Sequence, residues 1–113
     1  MAIEGGCHCR ICQLTMGAPL SAYASVALAD FSYTKGTPKL YRSSDSAARA
    51  FCGDCGAQLT FRRDGKERLG VNIVTLDDPS LVEPTMHIWT QSRIAWFDTA
   101  DSHERREQTQ PVR

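Results

Sequence analysis

The sequence contains no apolar run approaching the roughly 18 residues that a membrane-spanning helix needs. It has no excess of charge either, since 13 Lys and Arg residues balance 13 Asp and Glu. A general nucleic-acid binder normally shows a basic stripe and a high pI, whereas the pI here is about 6.8. Nucleic acid and membrane are therefore disfavoured as partners. The first residues, Met1-Ala2-Ile3-Glu4-Gly5-Gly6, lack the basic and apolar regions of a secretory leader, so a cytoplasmic location is the expectation. Repeats, linkers and low-complexity segments are absent, and amphipathic helical patterns are nearly so.

The chain has 113 residues, the size of one domain. A core in so small a domain is modest, and a metal crosslink would help it. Cysteine is the residue that is there in a pattern. All five lie in two clusters, Cys7-His8-Cys9-Arg10-Ile11-Cys12 and Cys52-Gly53-Asp54-Cys55-Gly56. An odd number excludes a fully paired disulfide framework within one chain, and in a reducing compartment clustered cysteines read as metal ligands. Cys-x-Cys and Cys-x-x-Cys spacings let both sulfurs of a tight turn approach one Zn²⁺. Gly56, just past the second sulfur of its pair, suits a position needing positive φ.

Tetrahedral zinc takes four ligands, and five thiols are offered. Cys9 and Cys12 can join Cys52 and Cys55, leaving Cys7 spare, or Cys7 and Cys9 can join them, leaving Cys12 spare. Either would close a loop of about forty residues, and the metal would then dominate the stability of the fold. A third arrangement uses Cys7, Cys9 and Cys12 with one open position, as a reactive zinc requires, and leaves Cys52 and Cys55 short of two partners. A redox role for Cys52-x-x-Cys55 is disfavoured, because no βαβ pattern surrounds it.

Between and beyond the clusters the chain reads as short strands separated by turns, the pattern of an all-β domain. Strands are expected around Tyr23 and at Phe31–Tyr33, Leu40–Ser43, Arg49–Phe51, Gln58–Arg62, Leu69–Leu76, Met86–Thr90 and Ile94–Phe97, with Phe31–Tyr33 and Leu40–Ser43 forming a hairpin. Gln13–Met16 shows little pattern. Asp64-Gly65 is a strong turn signal. Residues 1–100 are expected to form a single zinc-binding β domain, and the polar stretch 101–113 an exposed, partly disordered tail.

These motifs occur together in one known family. Gly5-Gly6-Cys7-His8-Cys9-Arg10-Ile11-Cys12-Gln13, Gly17-Ala18-Pro19, Lys35-Gly36-Thr37-Pro38, Tyr41-Arg42-Ser43-Ser44, Arg49-Ala50-Phe51-Cys52-Gly53-Asp54-Cys55-Gly56, Thr75-Leu76-Asp77-Asp78-Pro79 and His87-Ile88-Trp89 resemble the glutathione-dependent formaldehyde-activating enzyme family, which also includes centromere protein V. The resemblance implies a β-tent, antiparallel sheets around a structural zinc. It implies a carbon–sulfur lyase that handles a glutathione–formaldehyde adduct, hence a small thiol partner. In that family a Cys-x-Cys pair joins the later Cys-x-x-Cys on the structural zinc, and a Cys-x-Cys-x-x-Cys run holds a second zinc to which catalysis is attributed. This chain departs from the pattern: the two N-terminal motifs are fused, the hairpin between them is missing, and five cysteines stand where seven are usual. A non-enzymatic zinc module that binds a protein partner is the rival reading.

Other residues carry weaker signals. His8 sits between two ligand candidates, where a side chain is expected to point outward. His87 reads as a hydrogen-bonded core or edge histidine, with proton transfer near the metal as the alternative. His103 is expected to be solvated. Asp77-Asp78-Pro79 reads as a turn, with Asp accepting backbone N–H groups, in preference to a carboxylate pair. Arg10, Arg42 and Arg49 are candidates for holding an anionic thiol substrate. Trp89, Trp96 and Phe97 are expected in the core.

Overall fold

A computed structural model of the chain describes residues 3–108. The elements are β1 (Ile3–Cys7), α1 (Arg10–Met16), β2 (Ser21–Ala27), β3 (Lys39–Ser44), β4 (Ala47–Phe51), β5 (Gln58–Arg63), β6 (Arg68–Asn72), β7 (Met86–Ile88) and β8 (Glu104–Arg105). Single 3₁₀ turns punctuate the connections at Leu28–Asp30, Ile73–Thr75, Pro79–Leu81 and Thr90–Ser92. The strands make one eight-stranded sheet in the order β3-β4-β5-β6-β2-β1-β7-β8. The domain is all-β, as its turn-punctuated sequence predicts. Pairings from β3 through β1 are antiparallel, while β1 with β7 and β7 with β8 run parallel.

The buried apolar residues are mostly small. Ala24, Ala47 and Ala50 lie on β2 and β4, with Leu69, Ile73 and Ile88 as the larger members. Small side chains let the backbone layers approach closely but bury little area each, about 25 cal/mol per Å². The fold thus leans on polar ties as well. Arg68, for example, donates from Nε to Ser25 Oγ at 3.0 Å and from Nη2 to the Ser25 carbonyl at 2.8 Å, fastening β6 to β2.

Several expectations need correction. Phe31–Tyr33 forms no strand, and β3 pairs with β4, so the hairpin is β3–β4. Phe31 and Tyr33 pack edge to face on each other instead, at 5.0 Å between rings, and the Tyr33 hydroxyl meets Thr60. The apolar run from Leu69 leaves the sheet after Asn72, where Thr75 Oγ1 donates to the Asn72 carbonyl at 2.7 Å and folds the chain into a turn. Ile94–Phe97 is a turn, closed by Phe97 N–H on the Ile94 carbonyl. Gln13–Met16 belongs to a helix too short to show an apolar period.

The polar stretch from Asp101 to Gln108 is mostly exposed, as expected, but it is ordered against the sheet by backbone pairing. Arg106 N–H donates to the His87 carbonyl at 2.8 Å, Trp89 N–H to the Gln108 carbonyl at 2.8 Å, and Thr90 N–H to the Arg106 carbonyl at 3.0 Å. Backbone pairing carries no side-chain signature, so polar residues serve here as well as apolar ones. Residues 109–113 of the expected tail lie outside the described residues.

Ending the chain at Ala100 removes these bonds and uncovers His87. At about 1 kcal/mol per net hydrogen bond, the truncated chain should lose about 3 kcal/mol or more. Urea denaturation followed by far-UV circular dichroism measures this; a dispensable tail would leave the midpoint unchanged.

Candidate metal centre

β1 delivers the first thiol. Cys7 pairs with Ser21 on β2 and with Ile88 on β7, and His8 N–H donates to the Ile88 carbonyl at 3.0 Å. The backbone stays extended through Cys9 (φ −66°, ψ 155°). Alternate residues of an extended chain project to the same side, so Cys7 and Cys9 face together and His8 faces away. Cys9 is also the N-cap of α1, its Sγ accepting the Cys12 N–H at 3.3 Å. Cys12 lies in the first turn of α1, above Cys9 by the three-residue spacing of a helix face. The three Sγ atoms lie within 4.8 Å of one another.

The surroundings hold this turn in place. Cys7 and Cys12 are buried with Ile88, and Cys9, Tyr23, Met86 and Trp89 pack around them. Gln13 Nε2 donates to the His8 carbonyl at 2.9 Å and to the Ser92 carbonyl at 3.1 Å, tying α1 to the turn after β7. Trp89 is the one non-glycine residue with positive φ among those described (56°). That conformation is costly for a bulky residue, and it turns the chain sharply beside the thiols.

Charge is arranged unevenly over the trio. Hydrogen bonds from the Cys12 and Cys7 thiols, with the Cys12 N–H and the Arg49 charge, pull Cys9 well below the ordinary thiol range. Cys7 is pushed up by its hydrogen bonds to Cys12 and Cys9 and by burial. Arg49, from β4, donates through Nη2 to Cys12 Sγ at 3.4 Å. Two strands, β5 and β6, separate β4 from β2 in the sheet, so this contact requires the sheet to curve around the helix. Arg49 is only 7% exposed and lies over the Phe61 ring at 4.7 Å. Its Nε is buried and makes no hydrogen bond among the described residues. It lines a small cavity of about 30 Å³ on the concave side of the sheet, with Ser21, Tyr23, Thr60 and Asn72.

On the reverse side of the Cys-His-Cys turn lies a second polar chain. His8 is the most buried large side chain, 1% exposed, so it does not point outward as expected. Its Nε2 is 3.0 Å from His87 Nδ1, and His87 Nε2 is 3.0 Å from Asp101 Oδ1 and 3.1 Å from Thr99 Oγ1. In the tautomer that places the Nε2 proton of His87 on Asp101 and Thr99, Nδ1 of His87 accepts and His8 donates from Nε2. His8 Nδ1 then carries the lone pair, and it is buried without a partner among the described residues. Burial, then the neighbouring His87, lowers the pKa of His8. His87 is thus the hydrogen-bonded core histidine, 3% exposed. Asp101 is held well below the usual carboxylate range by the Thr99 hydroxyl, then by His87 and the His103 N–H.

Among the candidate residues, then, the structure gathers Cys7, Cys9 and Cys12; Cys52 and Cys55 lie outside that group. Of the three arginines only Arg49 reaches it. Arg10 bonds Gln13, and Arg42 makes a two-pronged bond to Asp64 on the surface. Asp78 accepts the Ser80 N–H at 3.0 Å, the turn role expected of it. His103 is half-buried, its N–H bound to Asp101. Trp89 packs on the thiols and Phe97 lies 6.3 Å from His8, but Trp96 is 77% exposed, not a core residue. Asp101 and Thr99 carried no signal, since each is an ordinary polar residue in a polar stretch.

Fold and site together define an all-β domain whose clustered thiols are suited to a soft metal ion. The profile of the glutathione-dependent formaldehyde-activating enzyme family matches residues 3–92. The chain belongs to that family. No curated protein matches it. Among the described residues no helix is long and apolar enough to cross a membrane.

Two outcomes follow. The trio spans six residues, so an ion there clamps the β1–α1 turn and closes no long loop. Chelation of metal-loaded protein should lower the melting temperature while far-UV circular dichroism still shows the sheet; wholesale unfolding at room temperature would contradict this. For Asp101, a depressed folded pKa contributes stability above the unfolded value near 3.9, lost as pH falls toward the folded one. Wild type should therefore exceed Asp101→Asn in urea midpoint at pH 7, and the gap should close below about pH 4. A gap independent of pH would show that the carboxylate charge is not what counts.

Proposed function

We propose that Cys7, Cys9 and Cys12 hold a catalytic zinc, and that the chain makes and breaks the carbon–sulfur bond of a glutathione–formaldehyde adduct. The carrying observation is the thiol trio with the Arg49 guanidinium against it, donating to Cys12 Sγ at 3.4 Å. Three soft donors suit zinc and leave one of its four positions for substrate. When bound there, zinc would supply Lewis-acid polarisation and favour the thiolate form of an incoming thiol.

The chain's own residues supply the rest. In the forward direction a thiolate sulfur pair forms the C–S bond to formaldehyde, the C=O π pair moves to oxygen, and the alkoxide takes a proton from solvent. Elimination is the reverse. Arg49 is a buried cation beside the trio whose Nε has no partner among the described residues, so it is placed to hold the oxygen on which charge develops. Curvature brings Arg49 to the trio, and Phe61 beneath it fixes the guanidinium plane.

Arg49→Lys keeps the charge but loses the planar fork. It should slow exchange of ¹³C-formaldehyde with glutathione, read by NMR, by about 10²-fold, with zinc content unchanged. Cys12→Ser should lose the ion as well as the activity. Undiminished exchange in both variants would sink the reading, and wild type with bound zinc and no exchange would favour a zinc module that binds a protein partner.

A further inference from the structure

The polar chain behind the thiols ends on a carboxylate with a full set of donors. Asp101 Oδ1 accepts from His87 Nε2 at 3.0 Å and from the His103 N–H at 3.0 Å, and Oδ2 accepts from the Thr99 hydroxyl. Arg105 Nη1 lies 3.5 Å from Oδ1 as well. An ionised carboxylate only accepts, so its bond to His87 requires the proton on Nε2. Thr99 Oγ1, 3.1 Å from the same nitrogen, directs its own proton to Asp101 and is left as a second acceptor. Donors that converge on both oxygens need an acceptor at each, which an amide of the same shape does not offer. The proton of His87 is therefore placed from its outer edge, and Nδ1 is left bare toward His8 at 3.0 Å.

His8 carries that placement to the thiols. Its ring is held by His87, its N–H by the Ile88 carbonyl at 3.0 Å and its carbonyl by Gln13 Nε2 at 2.9 Å. Residue 8 is thus fixed at its ring and on both sides of its backbone, and in an extended chain the direction of its ring sets that of Cys7 and Cys9. With His87 Nδ1 bare, His8 donates from Nε2, and its orphan Nδ1 is an acceptor. The opposite pair of tautomers would leave a buried N–H there without an acceptor, the kind of orphan that folded proteins rarely keep. We propose that Asp101 and Thr99 are positioning residues for the thiol trio: by fixing the tautomer of His87 they hold His8, and with it Cys7 and Cys9, in the arrangement that binds a metal ion. The proposal rests on the trio as a metal site, but not on the reaction assigned to it.

The surroundings let this role be separated from packing. Asp101, Thr99 and His87 line a cavity of about 140 Å³, walled on its apolar side by Leu20 and Pro84. One more methylene at position 101 therefore has room, and Asp101→Glu can keep an ionised carboxylate within reach of His87. Asp101→Asn keeps the size and loses the charge. Either its oxygen or its nitrogen can face His87 Nε2, so the tautomer is no longer fixed. Groups that orient metal ligands from outside the coordination shell are worth about 10–100-fold in metal affinity.

The test titrates the full chain with Co²⁺ against a competing chelator and follows the sulfur-to-metal charge-transfer band, the part that Cys12→Ser abolishes marking the trio. Alongside it, ¹⁵N NMR of the metal-free protein reads the histidine tautomers. Wild type should carry the His87 proton on Nε2. Asp101→Asn should bind Co²⁺ about tenfold more weakly, with unchanged far-UV circular dichroism. It should also mix the His87 tautomers and shift the NMR signals of Cys7 and Cys9 but not those of Cys52 and Cys55. Asp101→Glu should recover most of the affinity. Arg68→Met, which unfastens β6 from β2 without touching the polar chain, should lose stability and keep wild-type affinity. Should Asp101→Asn misfold, Thr99→Val removes one acceptor of the His87 proton and should move the same readouts in the same direction by a smaller factor. A folded Asp101→Asn with wild-type affinity, an Asp101→Glu no better than Asp101→Asn, or a wild-type His87 protonated on Nδ1 would each overturn the proposal. A wild type that takes no Co²⁺ into the trio would sink the catalytic reading instead, and the metal-free tautomers and cysteine signals would still decide this one.

Discussion

The hydrogen bond from His8 to His87, buried and 3.0 Å long, is the constraint on which the site depends. In an extended chain the central residue of Cys-His-Cys must face opposite to its neighbours. Burying His8 on one side therefore presents Cys7 and Cys9 on the other. A buried imidazole needs partners for its nitrogens, and His87 provides the only one that His8 has among the described side chains. His87 is oriented in turn by Asp101 and Thr99, so the geometry of the thiols is set from residues beyond position 98. Gly6 is part of the same arrangement, because a Cβ there would stand 3.3 Å from His87 Nδ1 and from Leu20 Cδ1. The parallel pairing of β1 with β7, unusual in a mainly antiparallel sheet, is what places the two histidines side by side.

The opposite face shows how a small domain can keep a buried cation. An Arg taken out of water without compensation is expensive, and the packing here is too light in large apolar groups to absorb that cost. Two contacts offset it: the Phe61 ring beneath the guanidinium and the Cys12 sulfur at its end. The Cys12 contact strengthens when the trio bears negative charge, as thiolate ligands do. Stability and chemistry are thus coupled, since the residue that could steady a developing oxyanion also neutralises the thiols that hold the metal. A Met in its place would pack well but leave the negative charge of the trio without a counterpart.

The parts of this molecule legible in its sequence are those written locally. Cys-x-Cys-x-x-Cys closes on itself within one turn, so spacing alone foretold that Cys7, Cys9 and Cys12 could meet. The Asp64-Gly65 turn and the alternation of Gln58–Arg62 likewise report their own conformation. What could not be read depends on partners far along the chain. Arg49 resembled any other strand arginine until sheet curvature brought it to Cys12. Asp101 lay in a stretch with no pattern, because a parallel strand held by backbone bonds and one carboxylate asks nothing distinctive of its neighbours. Phe31–Tyr33 failed for the converse reason: alternation without a strand to pair with is only a pair of aromatic rings in contact.

The same distinction between local and distant explains why the two cysteine clusters have different fates. A ligand set contained in six residues is carried by the β1–α1 turn itself and survives any change elsewhere that leaves that turn folded. The Cys52–Cys55 turn lies outside that group, held by its own backbone bonds between Gly56 N–H and the Cys52 carbonyl and between Cys52 N–H and the Ala57 carbonyl, so the geometry of the trio does not depend on it.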